Sequence, residues 1–449
     1  MRTRIDDSGR ATAGPSSVLL RGNHAHAVLA AILLCCATIL TAPGLASSHL
    51  AVRAAPRSLA PQPELYYGFT YSDAPAVPTV QGIEQHTGKG ASLVMWYQAW
   101  QLQGQPQPFP TAGMEAVREH GAIPMLAWEP DNYPQGDSDP AFSLSKIIGG
   151  AYDPYLRQYA AAARAWGHPF FLRFAAEMNG NWTLWSEAIN GNSKGQFVAA
   201  WKHVHDIFRA AGATNATWVW CPNVENAYTT PLEDLYPGPA YVDWGCMDGY
   251  NYSTLLNGTP WRSFSQVFQK TYQHVLRLLP PTMPIIIGET GSVEQGGSKP
   301  AWITDTFTTE LPARFPRIKG LIWFDIAKGG FDLRVDTSAQ SLTAFRQAIA
   351  SPVYQTDKYS LLDQSPIPSP EQFVPPTPTP TPAAPLFGLP KTILTPPSNL
   401  GQAVVPLLLG VSIVVLVVAW GSAAAASRRR RAAKHAKRYR RANEERSRR

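Results

Sequence analysis

Pro169-Phe170-Phe171-Leu172-Arg173-Phe174-Ala175-Ala176-Glu177-Met178-Asn179 reads as a short apolar strand ending in a loop that carries a glutamate. Seven more runs rich in β-branched or aromatic residues lie at 66–70, 92–96, 123–128, 217–221, 247–250, 284–288 and 320–324. Helical spacing of apolar residues fills gaps between them, at 114–120, 155–166, 195–211, 264–279 and 301–311. Asp153-Pro154 opens one of these helices as a cap followed by proline at the first helical position. Eight strands alternating with helices predict an α/β fold, a (β/α)8 TIM barrel spanning residues 65–351. The alternative is an open doubly wound sheet, but no glycine-rich phosphate turn follows the first strand.

The two ends of the chain read differently. Arg2, Arg4, Arg10 and Arg21 precede an apolar run from Ala25 to Leu40, and small residues follow as far as Ala46. Those are the three parts of a secretory signal peptide, residues 1–46, with an uncleaved signal anchor as the alternative. Cys35 and Cys36 do not make a lipobox, because Ile32-Leu33-Leu34 places large residues before them. Residues 47–64 form a leader. After the globular part, residues 352–402 read as a linker. Twelve prolines fall between Ser365 and Ser398, so the segment favours an extended polyproline stalk that reaches on the order of 100 Å at ~3.1 Å per residue. Leu389-Pro390-Lys391-Thr392-Ile393 resembles a sortase sorting signal, except that Ile393 stands where glycine is expected.

Residues 403–426 read as a single transmembrane helix, long enough for a bilayer core of roughly 30 Å. The basic tail at 427–449 begins with four consecutive arginines and reads as cytoplasmic. The expected location is thus the cell membrane, single-pass, with the globular domain outside. The tail also accounts for the basic character of the chain. It carries a net +10 and the first 46 residues a net +2, so of the total of +7 the remaining residues hold −5. A domain with that balance lacks the electrostatic footing for nucleic acid, and it is read as a monomer.

No metal motif and no cofactor fingerprint occurs. His203 and His205 are two apart on a helix and point to different faces. Cys221 and Cys246, the two cysteines outside the signal region, are read as buried thiols, with a disulfide if their strands are neighbours.

In a barrel of this kind, function sits at the C-terminal ends of the strands. Glu177 follows the fourth strand and Glu289 the seventh, on facing sides of the mouth. Two carboxyls so placed flank one glycosidic bond: one protonated to donate to the leaving oxygen, the other ionised to attack the anomeric carbon. A separation of roughly 5–5.5 Å gives retention, and mutual repulsion with burial raises the pKa of the acid. A lone glutamate after a strand is ordinarily a salt-bridged surface residue; the pairing and the aromatic company shift that reading. Thirteen of fourteen tryptophans lie between Trp96 and Trp323. Indole faces stack on the C–H faces of sugar rings, and Trp96, Trp128, Trp182, Trp185, Trp220 and Trp323, at strand ends, are the expected sugar contacts. Trp166, Trp201, Trp218 and Trp302 are expected in the core.

The segment 173–185, with Glu177-Met178-Asn179-Gly180-Asn181-Trp182 inside it, resembles the acid/base segment of glycoside hydrolase family 26, best known for β-mannanases. Trp128-Glu129-Pro130, Asp248-Gly249-Tyr250-Asn251, Gly288-Glu289-Thr290-Gly291 and Trp323 are similar to that family in the same order, and the resemblance covers about residues 65–350. It implies a (β/α)8 barrel with Glu177 as acid/base and Glu289 as nucleophile. It also implies that Tyr250 hydrogen-bonds Glu289 and that Trp323 is the floor under the cleaved sugar. The substrate-binding set is then Arg173, Asn179, Trp182, Trp128, Trp185, Trp220, Asp248, Tyr250 and Trp323. One departure stands out. The family usually has histidine directly before the acid/base glutamate, and this chain has Ala176. The implied activity is a retaining endo-β-glycanase. β-1,4-mannan is the family default; mixed-linkage glucan, β-1,3-xylan, an endogenous exopolysaccharide, or a barrel that only binds carbohydrate are alternatives. The sequons at Asn181 and Asn251 fall inside the proposed site and are read as unmodified.

Overall fold

A computed structural model describes residues 64–373, apart from 135, 137, 227, 228 and 257. The signal peptide, the leader up to residue 63, the stalk beyond 373, the transmembrane segment and the basic tail lie outside the described residues. Among the described residues, no helix is long and apolar enough to cross a membrane.

Eight parallel strands form the barrel: β1 (Tyr66–Tyr71), β2 (Leu93–Leu102), β3 (Ile123–Tyr133), β4 (Phe170–Phe174), β5 (Ala216–Trp220), β6 (Trp244–Asn251), β7 (Ile285–Ser292) and β8 (Ile318–Trp323). Each pairs with its neighbour in sequence, and β1 pairs with both β2 and β8, which closes the sheet. Closure removes every edge, and helices cover the outside. The expected helices are present, within a few residues of their predicted ends, at Thr111–Glu119, Asp153–Trp166, Gln196–Ala211 and Phe264–Leu278. The one expected at 301–311 starts at Lys299–Asp305 and passes through a π-helical turn, Thr306–Glu310, into Leu311–Arg314. Val77–Thr87, Leu144–Ile148 and Ala339–Ile349 are additional. After β5 the described residues hold only the 3-10 turn Leu232–Asp234.

A closed parallel barrel buries both faces of its strands, so β4, β5 and β6 are buried at every position. The pleat then sorts side chains by parity. Met95, Ala127, Phe171, Val219, Cys246, Ile286 and Ile322 point inward. Their neighbours Trp96, Trp128, Leu172, Trp220, Met247, Ile287 and Trp323 point outward, under the helices.

The linker boundary differs from expectation. Residues 352–373 are part of the domain. Leu65 bridges to Tyr354, extending the β1 side, and Tyr359, Leu362 and Ile367 join the inner cluster at the end of the barrel where the strands begin. Trp244 Nε1 donates to the Ile367 carbonyl at 2.8 Å, Ile367 N to Thr217 Oγ1 at 2.9 Å, and the Tyr66 hydroxyl to the Pro368 carbonyl at 2.9 Å. Pro366, Pro368 and Pro370 therefore belong to a strap closing the bottom of the barrel. An extended, proline-containing strand without a ladder partner suits such a strap, because its few donors meet acceptors already waiting at the strand starts.

Cys221 and Cys246 form a disulfide, with their Cα atoms 4.2 Å apart, rather than two free thiols. Cys221 follows β5 directly and Cys246 lies on the adjacent β6, so the neighbouring-strand condition is met.

Truncating Ile367 to alanine in a chain covering residues 47–373 is expected to cost ~2–5 kcal/mol, the range for a fully buried isoleucine. Chemical denaturation measures it. A loss below ~0.5 kcal/mol, the range of surface substitutions, would place Ile367 outside the core.

Candidate active site

Parity fills the mouth of the barrel. One step above the inner core residues, the inward positions are Tyr97 on β2, Glu129 on β3, Arg173 on β4 and Asp248, then Tyr250, on β6. Glu289 does not follow the pattern. Ile285 and Ile287 point outward and Ile286 inward, so an unbroken strand would turn Glu289 out. The ladder instead slips, with Met247 opposite Ile287 but Asp248 opposite Glu289. Gly288 is the extra residue of this bulge, and it re-aims the glutamate into the mouth. A side chain there is excluded: a Cβ on Gly288 would lie 2.6 Å from Cys246 Sγ and 2.7 Å from Asp248 Oδ1.

Glu289 is 6% exposed. Arg173 Nη1 lies 2.9 Å from its Oε1, and the Tyr250 hydroxyl donates a short hydrogen bond to its Oε2. The other arm of Arg173 pairs closely with Asp248 Oδ2. Arg173 and Asp248 are almost wholly enclosed. Burial, then the charge of Glu289, push the Tyr250 phenol far up, so it stays a donor. Tyr97 turns its buried hydroxyl to the same carboxylate and is pushed up for the same reasons.

Glu177 stands just past β4, with φ of +55°, and Ala175 before it has φ of +47°. Two left-handed non-glycine residues cost of order 1–3 kcal/mol each. They are held by Ala175 N donating to the Trp128 carbonyl at 3.0 Å and Glu177 N to the Cys221 carbonyl at 2.7 Å. The carboxyl accepts from Trp182 Nε1 at 2.6 Å and from Asn223 Nδ2 at 2.7 Å. Burial raises its pKa and the charge of Glu289 raises it further; Arg173 and the two donors pull the other way, and the net is upward. One carboxylate oxygen from each of Glu177, Asp248 and Glu289 falls within 4.8 Å of the other two. Such spacing also fits a cation, but the guanidinium of Arg173 already bridges two of the three. A second trio, Glu84, His120 and Asp357, has similar spacing away from the mouth, with Glu84 exposed.

The predicted residues divide. Arg173 and Asp248 are present at the site but enclosed, acting on Glu289 rather than facing the cleft. Asn179 is 0% exposed and exchanges hydrogen bonds of 2.9 Å with the backbone of Asn223. It positions Asn223, a residue that sequence reasoning missed. Trp182 is 43% exposed beside Glu177, and its ring lies over Gly180, where any Cβ would come within 2.5 Å of it. The other tryptophans are corrections. Trp96, Trp128, Trp220 and Trp323 are fully buried on the outer face of the barrel, and Trp185 is 3% exposed with its indole on the Ala176 carbonyl. Trp128 stacks on Tyr159 with centroids 4.4 Å apart, Trp220 donates to the Leu235 carbonyl, and Trp323 packs against Phe307 and Phe345. Strand-end position alone does not fix the face; parity does. Trp323 is thus no floor for a sugar. The aromatics near Glu289 are Tyr97, Tyr250, Tyr252, Phe324 and Phe331. Asn251 is 0% exposed, so its sequon is closed to modification in the folded chain, while Asn181 is exposed.

A closed parallel barrel with facing carboxyls on its fourth and seventh strands is the arrangement that the resemblance to glycoside hydrolase family 26 implies. The family model for glycosyl hydrolase family 26 matches residues 156–281. Endoglucanase H of Acetivibrio thermocellus is 36% identical over 243 residues, which is 53% of this chain and 25% of that one. The chain thus spans a quarter of the length of this curated relative. Among solved structures, a double mutant of an endo-β-1,4-mannanase from Cellulomonas fimi is similar with a TM-score of 0.50 at 18% identity, covering 66% of this chain and 72% of that chain. A mannanase from Bacillus subtilis is similar with a TM-score of 0.47 at 14% identity, covering 67% and 88%. Over residues 156–281 the chain is thus similar to glycosyl hydrolase family 26.

Replacing Asn223 by alanine removes a donor that favours the ionised form of Glu177, so the Glu177 titration midpoint is expected to rise by about one to two pH units, the equivalent of one hydrogen bond to a charged group. Carboxyl 13C NMR titration of labelled glutamate reads it; an unchanged or lowered midpoint contradicts the assignment.

Proposed function

We propose that the domain is a retaining endo-β-glycanase acting on β-glucan, with Glu177 as acid/base and Glu289 as nucleophile. The observation that carries the mechanism is the pair itself: an enclosed, arginine-paired Glu289 with a carboxyl of raised pKa, Glu177, less than 4.8 Å away. That spacing leaves no room for a water between nucleophile and anomeric carbon, which supports retention over inversion.

The steps balance as follows. Glu289 Oε attacks the anomeric carbon while the Glu177 carboxyl gives its proton to the glycosidic oxygen. The carbon–oxygen bond breaks and the new reducing-end fragment leaves as an alcohol. Glu177, now a carboxylate, takes a proton from water. The hydroxide attacks the same carbon, the ester to Glu289 breaks, and both groups return to their starting states. Arg173 and Tyr250 hold the Glu289 carboxyl in place through an ion pair and a hydrogen bond. Trp182, exposed and donating to Glu177, is placed to carry the leaving sugar on its indole face.

Glucan over mannan rests on the 36% identity to a chain named endoglucanase, together with Ala176 where mannanases of the family usually carry histidine. The second reading, a barrel that binds carbohydrate without turnover, also draws on Ala176. The intact carboxyl pair speaks against it. The chain ends support a setting outside the cell, exported and anchored in a membrane through 403–426 with the basic tail inside.

Residues 47–373 should release reducing ends from barley β-glucan in preference to mannan, glucomannan or β-1,3-xylan. Glu289→Ala should abolish release, and Glu177→Ala should lower kcat by roughly 10²–10⁴-fold. Proton NMR should show the β-anomer first. Release from mannan alone would reassign the substrate, and first-formed α-anomer would sink the retaining mechanism.

A further inference from the structure

Two carboxyls at the mouth take no part in the steps above. Glu129 is the inward residue of β3 one step above Ala127, a residue of the inner core, and Ala127 is paired with Arg173. Two positions on, the β2–β3 ladder slips: Ala99 faces Glu129, but Gln101 faces Asn132, so β3 holds one extra residue at Pro130–Asp131. This bulge packs Asp131 to 1% exposure, with its Oδ1 fully enclosed and without a hydrogen-bond partner among the described residues. Glu129 is partly exposed.

Charge counting limits what these groups can be. Glu129, Glu177, Asp248 and Glu289 share one enclosed cation, Arg173, which already serves Asp248 and Glu289. Charges and titratable groups that act on Glu129 come from four elements: Asp131 on its own strand, Arg173 on β4, Glu289 on β7, and Lys328 in the hairpin after β8. Lys328 is exposed and therefore screened by water. Asp131 feels Asp139 in addition. A carboxyl in this position without a cation of its own keeps its proton, as burial disfavours the charged form and two neighbouring carboxylates add to it. Burial pushes Glu129 up to about 8 and Asp131 to about 7.

We infer that Glu129 is a specificity-determining residue, a protonated carboxylic acid that donates a hydrogen bond to a hydroxyl of the neutral pyranose held over Glu289, with Asp131 positioned behind it to keep it protonated. The inference rests on the glycanase reading and deepens it. A donor at this wall selects a neutral sugar hydroxyl, and once ionised it repels any uronic acid ring. Above pH 8 Glu129 loses its proton, the donor becomes an acceptor beside Glu289, and substrate affinity falls.

The test has one arm without substrate. In 13C-carboxyl NMR of the folded domain, a signal absent from Glu129→Gln is expected to titrate between pH 7 and 9; titration near the ordinary glutamate value of ~4.3 overturns the inference whatever the enzyme hydrolyses. The second arm follows KM for barley β-glucan from pH 5 to 9.5. Wild-type KM is expected to rise roughly tenfold across pH 7.5–9.5, one hydrogen bond's worth. In Glu129→Gln, a neutral donor of the same shape, KM changes a few-fold at pH 6 but stays flat at high pH. In Glu129→Ala it is raised about tenfold at both ends. Asp131→Asn removes a neighbouring charge, so the rise begins at lower pH. Variants that share the wild-type KM profile, with the wild type active, refute the role of Glu129. A wild type that hydrolyses no glycan refutes the glycanase reading instead, and the carboxyl titration still decides the protonation of Glu129.

Discussion

The guanidinium of Arg173, enclosed between Asp248 and Glu289, is the contact on which the mouth of this barrel depends. Removing one partner of such a buried pair leaves a naked charge and costs about 3–5 kcal/mol. Three strands are tied together by it, β4, β6 and β7. One layer below, the same strands fill the inward position with Phe171, Cys246 and Ile286. Folding must therefore bury a guanidinium and two carboxyl groups together. Tyr250 and Tyr97 complete the shell, both held neutral by burial, and Tyr250 supplies a hydrogen bond without adding charge.

Glu177 belongs to a different environment, although it is within reach of the same carboxylate. Its donors are uncharged, Asn223 and Trp182, and its backbone sits in a left-handed conformation pinned by the Cys221 carbonyl. Two carboxyls in one cleft thus have opposite settings: a cation and a phenol for one, neutral amide and indole for the other. The proposed division of labour between nucleophile and acid rests on that asymmetry. Cys221 connects the two settings, since its backbone holds Glu177 and its sulfur is tied to β6 two residues before Asp248.

At its other end, the barrel relies on the strap 354–373. Small-residue and aromatic starts of the strands leave an apolar opening, and Tyr359, Leu362 and Ile367 fill it. The chain that leaves the domain at this end is the one that enters the proline-rich segment.

Much of this was legible in the sequence. The eight strands announce themselves as apolar runs because both faces of a closed parallel sheet are buried, and Glu177 and Glu289 stand out because carboxylates do not ordinarily follow such runs. Local sequence could not reveal which face a strand-end residue takes. Trp128, Trp220 and Trp323 were indistinguishable from cleft residues until pleat parity put them beneath helices, while Glu289 reaches the mouth only through a bulge at Gly288. Asn223 and Asp131, whose surroundings come from distant segments, carry no sequence signal of their own. Composition and periodicity fixed the kind of layers and their order, since these depend on near neighbours in the chain. Register, bulges and the pairing of buried charges were decided by tertiary structure, because a carboxylate's state depends on which groups from distant parts of the chain close around it and exclude water.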